Sequence, residues 1–241
     1  MSYFSKAILL TTKNDHAFLM KKCAHIEKSL GLPAGFVEVF KNDPDQEDSK
    51  RGCFNAHYDV YCYIAENELD NCLIFEDDVY FLKKVRSESY DGFLTDQDWD
   101  VFYFGHKPDF RQDTFARRTE FPGILHVRTN DRHAYAMNYK FARKMAEKPW
   151  SGVFGDRLLR SSTNKAYALV PGRAIQTGPL GSASYQNGIT EKFNEYLRLA
   201  WQQPFQLTDF FRYSFLLIFK MPYWVTYFTF LALKQQKDQS G

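Results

Sequence analysis

The sequence predicts an α/β fold with a mainly parallel central sheet flanked by helices. Two observations carry that expectation. Short apolar runs alternate with stretches of helical periodicity, in the order strand, helix, strand, helix, strand over roughly the first hundred residues. Two of the runs are continuously apolar and stop abruptly at polar residues, as buried strands do.

Ala7-Ile8-Leu9-Leu10-Thr11-Thr12 is a β-leaning run that halts at Lys13-Asn14-Asp15, a first strand ending in a turn. From His16 to Leu30 the apolar positions Phe18, Leu19, Cys23, Ile26 and Leu30 recur at helical spacing, and Gly31 followed by Pro33 ends that helix. Gly35 to Phe40 alternates and suits a second strand, and 41–51 is a polar loop around Pro44. A second helix is expected from Gly52 to Asn67, with Phe54, Tyr58, Tyr61, Cys62 and Ala65 on one face. Cys72-Leu73-Ile74-Phe75 is continuously apolar and ends in Glu76-Asp77-Asp78; Trp99 to Phe104 repeats the pattern and ends in Gly105-His106. In parallel sheets ligands bind beyond the carboxyl ends of the strands, where the acidic triplet lies. Beyond residue 105 the pattern loosens. The stretch 108–123 reads as a polar loop carrying Arg111, Arg117 and Arg118 among Phe110, Phe115 and Phe121. Ala134 to Met137 and Tyr167 to Pro171 read as short strands, Phe141 to Glu147 as a helix, and 178–188 as a Gly- and Ser-rich loop.

Composition narrows the function. A chain of 241 residues with 44% hydrophobic side chains has room for one domain, expected over 1–190, and an appendage over 191–241. The 31 basic residues nearly cancel the 29 acidic ones, so no global field draws in nucleic acid. Four scattered cysteines without a CxxC pair exclude a disulfide framework and argue against structural zinc. The opening residues lack a secretory pattern, so a reduced, cytoplasmic setting is expected.

Three consecutive carboxylates repel one another unless something screens them. Glu76, Asp77 and Asp78 follow directly on a short apolar strand that fixes where they point. A hard divalent cation, Mn²⁺ or Mg²⁺, would relieve the repulsion and counter the charge of a diphosphate. Strand alternation would set residues 76 and 78 on one face. A solvated acidic turn is the alternative.

Gly52-Cys53-Phe54-Asn55-Ala56-His57-Tyr58, a helix, and then Leu73-Ile74-Phe75-Glu76-Asp77-Asp78-Val79 resemble the pattern of glycosyltransferase family 25. Ala134 to Met137 with Ala142 to Met145, Val153-Phe154-Gly155-Asp156, and Tyr167 to Pro171 with Gln176 and Ser182 extend the resemblance over about residues 5–185. Ala56 stands where the family usually has Ser, Arg51 interrupts the approach to Gly52, and Leu10-Thr11-Thr12-Lys13 lacks the family's Asn-Leu-x-Arg opening.

The resemblance implies a GT-A-like nucleotide-binding domain. It also implies an inverting transfer of galactose or glucose from a UDP-sugar to a hydroxyl of a glycan, glycolipid or protein. In that reading Glu76, Asp77 and Asp78 hold the metal and diphosphate. Asp156 is the base or an acceptor contact, or else a helix N-cap. Thr11, Thr12 and Asn14 lie where the nucleotide docks, or else are solvated turn residues, and Gln176 with the 178–188 loop closes over the donor. His57 touches the sugar nucleotide or is a hydrogen-bonded core residue; Cys53 is core packing. Arg111, Arg117 and Arg118 meet phosphate or remain unspecialised. A nucleotide-sugar-binding protein without catalysis and a metal-dependent phosphohydrolase are the rival functions.

The aromatic content, 17%, is concentrated toward the end of the chain. The run 210–233 is as long as the roughly 20 residues that a bilayer span needs. Lys220 and Pro222 make such a span marginal. Arg212, Lys220 and Lys234 with Trp224 better suit a helical tail lying in the headgroup zone, split at Pro222, and so a peripheral membrane contact. Packing against the preceding domain is the alternative.

Overall fold

A computed structural model describes residues 3–81, 84–105, 115–130, 132–170 and 172–176. The expectations for His106, Phe110, Arg111, Pro171, the 178–188 loop, Ser182 and the 191–241 tail lie outside these residues.

The chain forms β1 (Lys6–Thr11), α1 (His16–Leu30), β2 (Val37–Lys41), α2 (Ser49–Glu66), β3 (Asn71–Glu76) and β4 (Val79–Phe81). A 3₁₀ turn (Ser87–Ser89) leads into α3 (Asp91–Asp96), β5 (Val101–Tyr103), β6 (Phe115–Arg118), β7 (Ile124–Arg128) and β8 (Ala134–Asn138). Then come α4 (Tyr139–Ala146), α5 (Gly155–Ser162), β9 (Ala166–Leu169) and β10 (Ala174–Gln176). Local chemistry sets the ends. Asp15 caps α1 by accepting from the Phe18 N–H at 3.0 Å, and Gly31 closes it in the left-handed region at φ 66°. Asp48 and Asn138 cap α2 and α4 in the same manner.

Eight strands form one sheet in the order β2-β1-β3-β8-β5-β9-β7-β6, and β10 pairs with β4 in a separate ribbon. The sheet is mixed, which corrects the expectation of a mainly parallel one. β1 runs parallel to β2 and β3, and β5 to β9, but β8 lies antiparallel between β3 and β5. A hairpin of β6 and β7 closes the far edge where a polar loop was expected, and it pairs antiparallel to β9. Its signal is weak because Arg117 and Arg118 are exposed on an edge strand.

Alternate residues of the central strands feed two cores. Ala7, Leu9, Leu73, Phe75, Phe102, Phe104, Ala134 and Ala136 pack with α1 and α3 on one face. Ile8, Leu10, Cys72, Ile74, Val101, Tyr103, Tyr135 and Met137 pack with α2, α4 and Leu159 of α5 on the other. Covering both faces explains why the strands read as unbroken apolar runs rather than alternating ones.

Candidate functional site

The carboxyl ends of β1, β3 and β5 lie at one rim of the sheet. Because β8 runs the other way, its amino-terminal end reaches the same rim, where the Glu76 N–H donates to the His133 carbonyl at 3.0 Å. The rim therefore joins acidic residues that follow a strand to basic residues that precede one.

β3 ends at Glu76, and Asp77 and Asp78 form the turn into β4. Alternation consequently stops before residue 78, and the expected shared face of 76 and 78 does not arise from a continuous strand. Each carboxylate has its own environment. Glu76 accepts from His57 Nε2 at 3.0 Å. Asp77 accepts from the Thr11 hydroxyl at 2.6 Å and from Lys13 Nζ at 3.2 Å, tying the acidic turn to the loop after β1. Asp78 is raised to about 6, chiefly by burial and then by the negative charge of Glu76 and Asp77, against the opposing influence of His133 and Lys22. Lys22 donates to the Val79 carbonyl at 2.9 Å, and burial pushes its ammonium down.

His57 projects from α2 and is buried. Burial, reinforced by the charge of Arg132, lowers its pKa, so the ring is neutral at pH 7. A carboxylate only accepts, so Nε2 carries the proton toward Glu76, and Nδ1 accepts from the Tyr135 hydroxyl at 2.9 Å. Tyr61 lies 3.1 Å from the Tyr135 oxygen and supplies the next donor in the chain. Burial would raise the Glu76 carboxyl, but the His57 hydrogen bond and the charges of Arg132 and His133 outweigh it and hold it at about 2. The hydrogen-bonded core role anticipated for His57 is thus realised beside the acidic turn itself.

Arg132, just before β8, is buried and donates to Asp156 Oδ1 and, through Nη2, to Cys53 Sγ at 3.5 Å. Burial opposes its charge; Asp156, Tyr61 and Cys53 more than compensate. Asp156 lies in the first turn of α5 with Phe154 at the N-cap, so it is not the cap. Its side chain remains 42% exposed. Gly155 makes the arrangement possible: a Cβ there would stand 2.1 Å from Arg132 Nη1. Gly105, at the end of β5, similarly admits the Ala174 carbonyl, which a Cβ would meet at 2.1 Å. Cys53, expected in the core, is exposed.

Thr11, Asp77, Asp78, Glu76, His57 and Asp156 are thus gathered at one rim. Thr12 and Asn14 are exposed on the loop that Thr11 anchors. Gln176 pairs in β10 with Val79, directly after the acidic turn. Arg117 and Arg118 are not brought there: β6 lies five strand spacings from β3, roughly 24 Å. Arg132 carries no signal in the sequence, and Tyr61 and Tyr135, expected only as helix-face and strand residues, turn out to orient His57.

Among the described residues, two candidate donor sets for a cation meet at this rim and share Glu76. Cys53, His57 and Glu76 offer ligand atoms within 4.8 Å of one another. There the Arg132 guanidinium already supplies positive charge beside Cys53. The acidic turn offers hard oxygens, and Asp78 holds its negative charge at a cost that a cation would remove. The donor chemistry of the turn fits Mn²⁺ or Mg²⁺ better. A hollow of about 370 Å³ lined by Asp100, Lys140, Lys144 and Lys165 touches none of these groups.

Part of the chain is similar to proteins described as glycosyltransferases. Residues 47–149 match the family described as glycosyltransferase family 25 (LPS biosynthesis protein), so the resemblance carried by Gly52–His57 and Leu73–Val79 holds over that segment. Among curated proteins, the chain is 28% identical over 101 residues to procollagen galactosyltransferase 1-A of Xenopus laevis and 29% identical over 101 residues to procollagen galactosyltransferase 2 of Homo sapiens. Each match covers 40% of this chain and 16% of the relative, so the chain matches about a sixth of those proteins' length. Among solved structures, a Drosophila beta-1,4-galactosyltransferase 7 mutant in complex with manganese, UDP-Gal and xylobiose is similar at 11% identity and a TM-score of 0.40, over 73% of this chain and 71% of that one. Among the described residues, no helix is long and apolar enough to cross a membrane.

Proposed function

We propose that this protein is an inverting glycosyltransferase that moves galactose or glucose from a UDP-sugar to a hydroxyl of a glycan, glycolipid or protein, assisted by Mn²⁺ or Mg²⁺. The observation that carries the reading is the acidic turn at the β3 carboxyl end, with the Asp78 carboxyl raised to about 6, inside the segment that matches family 25.

Asp78, with Glu76 beside it, would hold the cation. When bound, the cation would offset the charge that grows on the departing diphosphate. Asp77 pins the turn to Thr11 and so sets Thr12 and Asn14 against the nucleotide, while Gln176 flanks the turn from β10. His57 keeps Glu76 ionised and oriented. As C1 of the sugar breaks from the diphosphate oxygen and bonds to the acceptor oxygen, the acceptor proton passes to Asp156, whose exposed edge faces solvent. Arg132 holds that carboxylate in place. The domain of this activity is 1–190. The 191–241 tail rests on a membrane surface at the cytoplasmic side, a reading supported by its composition and tested by co-sedimentation with anionic vesicles before and after truncation at residue 205.

UDP release from UDP-galactose and UDP-glucose, with Mn²⁺ and a panel of acceptors, tests the proposal. Turnover that Asp78→Asn abolishes is the expected result. Donor binding without turnover would make the protein a nucleotide-sugar binder, and phosphate release from simple esters without UDP release would make it a phosphohydrolase.

A further inference from the structure

The rim carries a feature that the transfer chemistry leaves unused. Ser151, Gly152, Val153 and Phe154 form an exposed loop leading into α5, two residues short of Asp156. Among the described residues the large exposed hydrophobics are Met20, at 55%, and the adjacent pair Val153, at 37%, and Phe154, at 54%. Phe154 also occupies the N-cap of α5, where its side chain makes no capping bond. Ser, Thr, Asp or Asn is preferred there over residues that cannot cap. One position therefore forgoes both solubility and a helix cap, and such local losses concentrate where function demands them.

The surroundings specify what would use the ring. Lys50 Nζ of α2 lies 5.0 Å from the Phe154 centroid, and the Asp156 carboxylate and Arg132 guanidinium stand beside the same helix start. One exposed aromatic ring with an ammonium over one of its faces and a carboxylate at the same helix start is too small an apolar area for a protein or lipid surface, which takes several hundred Å². It suits a ligand of ring size with one C–H face and a hydroxylated edge. We infer that Phe154 is the stacking platform of the acceptor subsite and that the acceptor is a pyranose sugar, its C–H face on the ring face opposite Lys50 and its hydroxyl edge toward Asp156. The inference rests on the glycosyltransferase reading for the word acceptor, but the sugar contact is measurable without it.

The test is saturation-transfer NMR on the full chain with methyl β-galactoside, methyl β-glucoside and methyl α-mannoside, alongside calorimetric titration with UDP. At least one glycoside should receive saturation on the protons of one ring face. Phe154→Ala should cut that signal at least five-fold, Phe154→Trp should restore it, and Met20→Ala should leave it unchanged. UDP affinity should be the same in all four proteins, which also reports that the variants are folded. No glycoside signal above that of an unrelated protein, or a signal that survives Phe154→Ala, overturns the inference. Loss of UDP binding by the unmodified chain would instead remove the donor reading and leave the glycoside result to stand alone.

Discussion

Arg132 occupies the space that Gly155 leaves open: a Cβ on that glycine would lie 2.1 Å from Nη1. The smallest residue of α5 thus admits the buried guanidinium that meets Asp156 and Cys53. Gly155→Ala is expected to displace Arg132 and destabilise the fold by about 1–3 kcal/mol, the usual cost of overpacking. Urea denaturation measures the loss. Transfer activity should fall as well, because Asp156 loses the partner that orients it; an alanine variant of full stability and activity would show that the guanidinium has another place to go.

Asp78 predicts a pH dependence of definite sign. Its folded pKa, about 6, lies above the ordinary carboxyl value, so the protonated form is favoured in the native state. The stability it contributes is present below about pH 4 and is lost as the pH rises through 6. Asp78→Asn should therefore be more stable than the parent at pH 8, by about 1–2 kcal/mol after allowance for partial solvent screening, and equal to it at pH 4. Millimolar Mn²⁺ should raise the parent's Tm at pH 8 but not that of the variant, and EDTA should reverse the gain. Calorimetry at the two pH values checks both statements.

Thr11→Val keeps the shape of the side chain and removes the 2.6 Å bond to Asp77. The expected loss of stability is about 1 kcal/mol. Because that bond couples the β1 loop to the acidic turn, KM for the UDP-sugar should rise several-fold with a smaller change in kcat. Steady-state kinetics separates the two.

His57→Phe breaks the run of hydrogen bonds from Tyr135 to Glu76. Leaving those partners unsatisfied should cost about 1–3 kcal/mol each. Glu76, held at about 2 in the parent, contributes stability that is present above its unfolded value near 4.3 and lost as the pH falls toward 2. Without the imidazole the carboxyl should rise, and the acid-unfolding midpoint, followed by circular dichroism, should move to higher pH.

What could be read in advance follows physical lines. The spacing from His16 to Leu30 predicted α1 with its bounds, because Gly31 ends it and the apolar stripe has one period. The run Cys72 to Phe75 predicted β3 for the same kind of reason. The direction of β8 was not legible. A strand buried on both faces carries no asymmetry to say which way it runs, and Ala134 to Met137 is such a strand. Among the site residues, the acidic turn announced itself because three adjacent charges are hard to place by accident. Arg132 did not: a single arginine gains its meaning from Asp156 and Cys53, which are distant in sequence. The nearest local hint was Gly155 beside Asp156, whose function as a space for a guanidinium appears only when the elements are assembled.

The reversed direction of β8 also bears on how the molecule comes into being. This strand pairs with β3, some sixty residues earlier, and with β5, some thirty residues earlier, so it closes large loops on both sides. Until that closure, His57 lacks Tyr135 and Asp156 lacks Arg132. A chain emerging from the ribosome can thus build β1, α1, β2, α2 and β3 while this rim is still in two pieces, and the pieces meet only when β8 has slotted between β3 and β5 and α5 has followed it.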